Sequence, residues 1–235
     1  KINVSDLLDV WPKNIKPSVY WWMKENSKGN ITNFFLSLNI FNEERNISFD
    51  NPSGRFDFDN TDIRYMESMP SVKQINGEAK IFQDKINFSI FSGKSEDLSI
   101  EHGNVDLFDL DTDFEKAKIF IKINGENTDI VNYLNYSPIN KKNYGKLKKI
   151  DGQSTVELDL RFPLLLDLPA EKIQYKSIVT IENGFFSKIF NELNISDFNL
   201  RINIDNSSVT YNGQGEIYKS KVKFSGKQIT KGDKL

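Results

Sequence analysis

The stretch that decides the fold is Val156-Glu157-Leu158-Asp159-Leu160-Arg161-Phe162, in which apolar and charged residues alternate one by one. Successive side chains of a β-strand point to opposite faces, so this period of two is typical of a strand with one apolar and one polar face. The same alternation recurs at Ala117–Ile123 and at Phe198–Ile204. Strands of this kind therefore dominate the chain.

Tight-turn residues stand between the strands, at Gln83-Asp84, at His102-Gly103-Asn104 and at Asp205-Asn206. Short turns join antiparallel neighbours, whereas parallel strands need long crossovers. Before Lys28-Gly29, Pro17 can open a helix over Ser18–Glu25. The sequence predicts a mainly antiparallel, all-β fold with a few short helices.

The strand pattern occurs twice, with a period of roughly 120 residues by comparison of Lys28-Gly29-Asn30 with Asp151-Gly152-Gln153. Asn127 or Thr128 can cap a short helix between the two copies. We therefore expect two repeated, curled β modules. The predicted division is a helical cap at 1–30, a first β module at 31–126, a short helix and Lys-rich connection at 127–150, a second β module at 151–229 and a tail at 230–235.

The composition of the chain argues against several classes of function. The 31 basic and 33 acidic residues give a net charge of −2 and form no basic face, which disfavours nucleic-acid binding. The chain has no Cys, which excludes a thiol nucleophile and a zinc-thiolate site. Its single histidine, His102, stands in the sequence Glu-His-Gly-Asn, where we favour a turn residue over the base of a catalytic triad. We expect no enzyme, no cofactor and no metal. The start, which has no Met and no signal peptide, suggests a piece of a longer protein.

Four weaker patterns have plain structural interpretations that we favour. Asp57, Asp59 and Asp62 could serve a carbohydrate-active sandwich, but they fit a solvated strand face. Asp109–Phe114 has calcium-like oxygen spacing but lacks the glycine and the final glutamate of such loops. A basic run could contact anionic lipid head groups, but it fits a solvated connection. A predicted amphipathic helical turn at 187–194 could form a gate or a membrane contact, but it fits a cap on the apolar edge of the sheet. The residues of these segments are Lys141, Lys142, Lys146, Lys148, Lys149, Phe186, Ile189, Phe190 and Leu193.

Several ordered motifs resemble the AsmA-like proteins of the YhdP type. They are Trp21-Trp22-Met23-Lys24-Glu25-Asn26, the stretch Asp62–Val72, Ile75-Asn76-Gly77 and Leu158–Leu164. The resemblance implies a periplasmic segment of a protein that an anchor outside this chain holds in the inner membrane of Gram-negative bacteria. It also implies transport of phospholipid toward the outer membrane along an apolar β groove, contributing to outer-membrane biogenesis.

On this hypothesis the apolar strand faces line the groove. Phospholipid or another acyl-chain lipid would be the ligand, and envelope proteins are possible partners. The alternative is a structural or protein-interaction module whose apolar faces close on each other. The candidate groove residues are Phe34, Leu36, Leu38, Ile40, Phe88, Ile90, Ile119, Ile121, Val156, Leu158, Leu160, Leu200 and Ile202.

Overall fold

The computed structural model describes residues 1–10, 17–43, 46–136, 150–165, 168–190 and 193–229. Strands account for most of this part of the chain. The helices are α1 (Val4–Val10), α2 (Pro17–Asn26) and α3 (Asn127–Leu134), with a short 3-10 helix at Ala170–Lys172. The strands are β1 (Ile2–Asn3), β2 (Ser27–Glu43), β3 (Asn46–Ile63), β4 (Val72–Ile81), β5 (Lys85–Ser95), β6 (Leu98–Phe108), β7 (Lys116–Glu126), β8 (Ile150–Pro163), β9 (Gln174–Phe190), β10 (Leu193–Asp205), β11 (Ser208–Ile217) and β12 (Ser220–Ile229).

All twelve strands form one antiparallel sheet in which the order in space is the order in the chain. The prediction of an all-β, antiparallel fold is therefore confirmed. β7 pairs directly with β8 over the whole length of β7, from Lys116 opposite Pro163 to Glu126 opposite Gln153. The strands of both predicted modules thus belong to one continuous sheet, with α3 in the connection between them. The module boundaries themselves stay a prediction.

A backbone repeat runs through this sheet. Gly29 and Gly152, 123 residues apart, both have positive φ, at 143° and 137°. The same spacing separates Asn60 from Asn183, and Gln74 from Asp197, all four with φ near 50°. These residues lie on β2, β3 and β4 in the first repeat unit and on β8, β9 and β10 in the second repeat unit. Their positions mark the same bulges in both units, since the strand register shifts beside Asn60, Gln74, Asn183 and Asp197.

The helices lie at one end of the sheet. α1 and α2 pack on the start of β2, where Val4, Leu8, Tyr20 and Ile31 form a buried cluster. The predicted helix beginning at Pro17 is thus observed as α2, while α1 was missed. α3 packs on β7 and β8 with Ile130 and Val131 buried.

The predicted cap of α3 is wrong. Its N-cap residue is Glu126 rather than Asn127 or Thr128. Asn127 lies inside the helix, where its buried Nδ2 donates to the backbone oxygen of Ile150 at 2.8 Å. The side chain that could have capped the helix instead binds it to β8.

Two further predictions are wrong. His102-Gly103-Asn104 is not a turn but lies within β6, because Gly103 is the small residue between Ile90 and Ile121 on adjacent strands. The predicted helical turn at 187–194 is also wrong, because its described residues belong to strands β9 and β10, where Phe190 pairs with Leu193. Strand pairing positions these apolar residues without a helix. The Gln83-Asp84 and Asp205-Asn206 turns are observed, whereas the lysines between 141 and 149 and the tail from 230 lie outside the described residues.

Candidate functional site

The candidate site is one face of the sheet, here called the apolar face. Residues paired across antiparallel strands point to the same side, so the register defines the face as rows that cross the strands. One row is Phe58, Gly77, Ile90, Gly103, Ile121, Leu158, Ser177, Ile204 and Val209. The next is Phe56, Ala79, Phe88, Val105, Ile119, Leu160 and Tyr175.

Three further rows complete the apolar face. The first is Gly54, Ile81, Ile86, Leu107, Ala117 and Phe162; the second is Gly93, Ile100, Ile123, Val156, Val179, Ile202, Tyr211 and Gly226; the third is Gly125, Ser154, Ile181, Leu200, Gly213 and Phe224. None of the residues in the five rows is charged. With a strand spacing of about 4.8 Å, the longest row, from Phe58 to Val209, spans roughly 40 Å from β3 to β11.

The structure brings nine of the thirteen candidate groove residues together on this face. Ile119 faces Leu160 and Ile121 faces Leu158 across β7 and β8. The other five are Phe88, Ile90, Val156, Leu200 and Ile202. Phe56, Ala79 and Tyr175 were not among the candidate groove residues, and the register adds them to the face.

The remaining four candidates lie on β2 at the margin of the face. The Phe34 ring lies 6.3 Å from the ring of Phe56, and Leu36 pairs with Gly54. Both are open to solvent, with 45% and 41% of their surface exposed. The side chains of Leu38 and Ile40 lie outside the described part of the chain.

The apolar face has no second layer over it among the described residues. Each strand makes its extensive contacts with its neighbours in the sheet, and the three helices make theirs with β1, β2, β7 and β8 at one end. Leu158, Leu160 and Ile121 are consequently only half-buried. A sandwich would bury such residues against a facing sheet. The face is thus apolar yet accessible.

Aromatic rings on the apolar face lie over glycines of adjacent strands. A Cβ atom placed on Gly77 would collide with the ring of Phe58, and one on Gly213 would lie 2.6 Å from the ring of Phe224. The Phe198 ring covers Gly184 in the same way. Each ring occupies the space that a side chain at the glycine would have taken. The apolar surface therefore continues across the glycine positions.

The helical end of the face is closed by packing and hydrogen bonds. Ile150, Ile181, Ile195 and Phe198 form a buried cluster there. The hydroxyl groups of Tyr65, in the β3–β4 connection, and Tyr133, on α3, are 2.7 Å apart. Partial desolvation, together with this hydrogen bond, raises the pKa of Tyr65, although 42% of its surface stays exposed. The two repeat units are therefore joined at this end by side chains as well as by the sheet.

The opposite face of the sheet is polar. Asp106 accepts hydrogen bonds from Asn87 at 2.7 Å and from Lys85 at 3.0 Å. Partial burial acts to raise the pKa of Asp106, but these bonds outweigh it and the pKa is lowered. Hydrogen bonds from Asn124 and Lys122 likewise lower the pKa of Glu101. Charges are paired on this side, which suits contact with water.

The other candidate residues from the sequence do not come together in one site. His102 lies on the polar face, its ring 5.8 Å from that of Phe120 and its Nδ1 3.6 Å from Glu101. The Asp57 carboxylate accepts a hydrogen bond from the side-chain amide of Asn33, and the Asp62 carboxylate accepts one from the backbone N–H of Gln74. Asp59 lies 3.7 Å from the side-chain ammonium of Lys1. In the loop at 109–115, Asp109 is paired with Lys116 at 2.7 Å.

Acidic and histidine side chains of the described ranges nowhere form a group of three or more suited to a metal ion. Within the same ranges, no helix is long and apolar enough to span a membrane.

Comparisons with known proteins identify the family. A family model described as YhdP protein matches residues 1–235, the whole of the chain. Comparison with curated proteins and with solved structures gave no match. The chain therefore belongs to the YhdP family, a family of envelope proteins.

Proposed function

We propose that this chain is a periplasmic segment of a lipid conduit, in which the apolar face binds the acyl chains of phospholipid and conducts them between the inner and outer membranes. The observation that carries the proposal is the uninterrupted set of uncharged rows across β3 to β12, with no second layer over it among the described residues. Exposure of such an apolar face to water is unfavourable. Burial of an acyl chain against it contributes a favourable free energy of about 0.8 kcal/mol for each methylene.

Uncharged rows suit transport because a hydrocarbon chain needs neither a counter-ion nor a hydrogen bond along its path. A single buried carboxylate or ammonium would interrupt that path, since an unpaired charge is costly in an apolar environment. The proposed role requires no bond chemistry. It requires only that neighbouring rows offer similar apolar surface, as Ile119–Leu160 and Ile121–Leu158 do on β7 and β8.

The test is lipid capture by the 235-residue chain. Chain stripped of lipid, mixed with phosphatidylethanolamine and phosphatidylglycerol vesicles and re-isolated, is expected to carry phospholipid in native mass spectrometry. Leu160→Asp places a charge in the second row and should reduce capture about tenfold. The matched control is Ile178→Asp, which makes the same kind of change on the polar side of β9, where Ile178 pairs with Glu157.

The outcomes separate a conduit from a structural module. Lipid capture that falls with Leu160→Asp and persists with Ile178→Asp supports the proposal. Absence of lipid from folded wild-type chain, with slow amide exchange over β7 and β8, would instead fit a module whose apolar face closes on protein. Circular dichroism on both variants checks that the sheet is retained.

A further inference from the structure

One bulge in each repeat unit sets which side chains reach the apolar face at its helical end. Phe58 and Thr61 on β3 are both buried, although two exposed residues stand between them. Opposite them on β4, the single residue Asn76 separates Gly77 from Ile75. Side chains of a regular strand alternate, so the extra residue on β3 lets the positions before and after the bulge point to the same face.

The second repeat unit has the same arrangement 123 residues later. On β9, Ile181 and Gly184 are buried on either side of two exposed residues. Their partners on β10 are Leu200 and Phe198, which the single residue Asn199 separates. An asparagine on the following strand therefore faces the bulge in both units.

The side chains of these two asparagines bind the backbone of the bulge. The Oδ1 atom of Asn76 accepts a hydrogen bond from the backbone N–H of Asn60 at 2.9 Å. The Oδ1 atom of Asn199 accepts one from the backbone N–H of Asn183 at 3.4 Å. Asn60 and Asn183 are the bulge residues with positive φ. The extra residue of a bulge is left unpaired in the strand ladder, so the asparagine side chain supplies the acceptor that the neighbouring backbone does not.

In the first unit, Asn76 is itself fixed by its neighbours. Its Nδ2 atom donates to the backbone oxygen of Gln74 at 3.2 Å and to the Oγ atom of Ser92 on β5 at 3.0 Å. On the other side of the bulge, β2 brings Gly29 so close to Thr61 that a Cβ atom on the glycine would lie 2.6 Å from the Thr61 Cα. The strands on both sides therefore hold the bulge in place.

Loss of the bulge would change which residues of β3 face the apolar side. In the structure, Thr61 and Ile63 point inward, and Ile63 packs on the buried cluster that includes Phe58. The Asp62 carboxylate points to the polar side, where it accepts a hydrogen bond from the backbone N–H of Gln74 at 3.0 Å. A slip of one residue reverses this parity. It would bring the charge of Asp62 among apolar side chains, where an unpaired carboxylate is unfavourable.

We propose that Asn76 and Asn199 are positioning residues of the apolar face. Each asparagine holds the bulge of the preceding strand, and the bond from Asn76 keeps Asp62 off the face. The bond from Asn199 likewise keeps Phe186 packed on the buried cluster at the helical end of the second unit. This positioning role is carried by the hydrogen bonds and the repeat, and its consequence for acyl chains rests on the proposed function.

The experiment uses single cysteines as reporters, since the chain has none of its own. Thr61→Cys places a thiol on the apolar side of β3, and Asp62→Cys places one on the polar side. Adding Asn76→Ala should raise the maleimide labelling rate at position 61 about tenfold and lower the rate at position 62, because the slip exchanges their sides. Asn76→Asp should restore both rates, since a carboxylate oxygen can accept the same N–H.

The matched control is Asn212→Ala. Asn212 precedes a glycine on β11, as Asn76 does on β4, but β11 pairs with β12 without a register shift. This change should leave both labelling rates as they are. If circular dichroism shows that Asn76→Ala does not fold, Asn199→Ala provides the test in the second unit. There, hydrogen exchange of the Asn183 backbone N–H should become about tenfold faster.

A lipid measurement tests the consequence for the apolar face. Asn76→Ala should lower phospholipid capture from phosphatidylethanolamine and phosphatidylglycerol vesicles, and the added change Asp62→Asn should restore it, because the charge is then gone. The labelling rates are measured without lipid. Absence of lipid from the wild-type chain would therefore contradict the conduit and leave the labelling test of the positioning role in force.

Four results would overturn the positioning role. The first is unchanged labelling at both positions in folded Asn76→Ala. The second is an equal rise at both positions, which would mean a loosened strand end without a reversal of parity. The third is a failure of Asn76→Asp to restore the rates, which would exclude the acceptor role. The fourth is unchanged exchange of the Asn183 N–H in Asn199→Ala.

Discussion

Gly29 and Gly152 lie at the same place in the two repeat units, and the neighbours that they face also match. A Cβ atom on Gly29 would lie 2.6 Å from the Cα of Thr61, and one on Gly152 would lie 2.9 Å from the Cα of Gly184. Thr61 and Gly184 are themselves 123 residues apart. Both glycines combine positive φ with close approach of the adjacent strand, so each unit depends on the same backbone arrangement at the start of its first long strand.

Replacing either glycine should therefore destabilise the fold. Gly29→Ala and Gly152→Ala each force an L side chain into a disfavoured backbone conformation and against a neighbouring Cα, and we expect a loss of about 1–3 kcal/mol. Urea unfolding followed by circular dichroism measures the change. The matched control is Gly93→Ala, where φ is not positive and the nearest atom, the Cδ1 of Ile100, would be 3.3 Å away. Equal losses at all three positions would contradict the expectation.

The Tyr65–Tyr133 hydrogen bond should couple the first unit to α3. A tyrosine is protonated at neutral pH, and partial desolvation raises the pKa of Tyr65 further, so the phenol can take part in the bond. Tyr65→Phe and Tyr133→Phe should each cost about 1 kcal/mol, and a double-mutant cycle should give a coupling of about 0.5–1.5 kcal/mol. Tyr136→Phe, on the exposed residue just beyond α3, should combine additively with Tyr65→Phe. A coupling of zero between Tyr65 and Tyr133 would contradict a structural role for the bond.

Asp106 should make stability depend on acid pH. Its pKa is lower in the folded chain than the value of about 3.9 expected when unfolded. A lowered folded pKa stabilises the fold above the unfolded pKa, and this contribution is lost as pH falls through the folded value. Asp106→Asn should therefore cost about 1 kcal/mol at pH 7, with the difference from wild type shrinking below about pH 4. Denaturant titrations at several pH values measure this difference.

The control for that experiment is Asp111→Asn, at an exposed loop residue, which should change stability by less than about 0.5 kcal/mol at any pH. A constant difference between Asp106→Asn and wild type from pH 7 down to pH 2 would show that the ionised carboxylate does not stabilise the fold.

Local patterns predicted much of the fold. The alternation in β7, β8 and β10 identified these strands, and Pro17 marked the start of α2. Predictions failed where one residue type is compatible with two different local structures. Gly103 suggests a turn but provides room between Ile90 and Ile121 in neighbouring strands. Phe190 and Leu193 suggest a helical face but pair between β9 and β10.

The continuity of the apolar face could not be predicted from alternation alone. Each bulge adds a residue to one strand and reverses the parity of the residues after it, so the face depends on where Asn60, Asn183 and Asp197 adopt positive φ. Asparagine and aspartate favour that conformation but occur elsewhere in the chain without it. Whether another layer covers the face is a tertiary property, which strand patterns do not encode.

On the proposed function, acyl chains run along the apolar face across successive strands. The most direct measurement is photo-cross-linking of phospholipid to benzoylphenylalanine placed singly at Phe88, Ile121, Leu158 or Ile202, with Ile178 and Phe120 as positions on the polar face. We expect lipid adducts at all four apolar positions and none at the two controls. Adducts at both faces alike, or at none of the six positions in folded chain supplied with lipid, would contradict the claim.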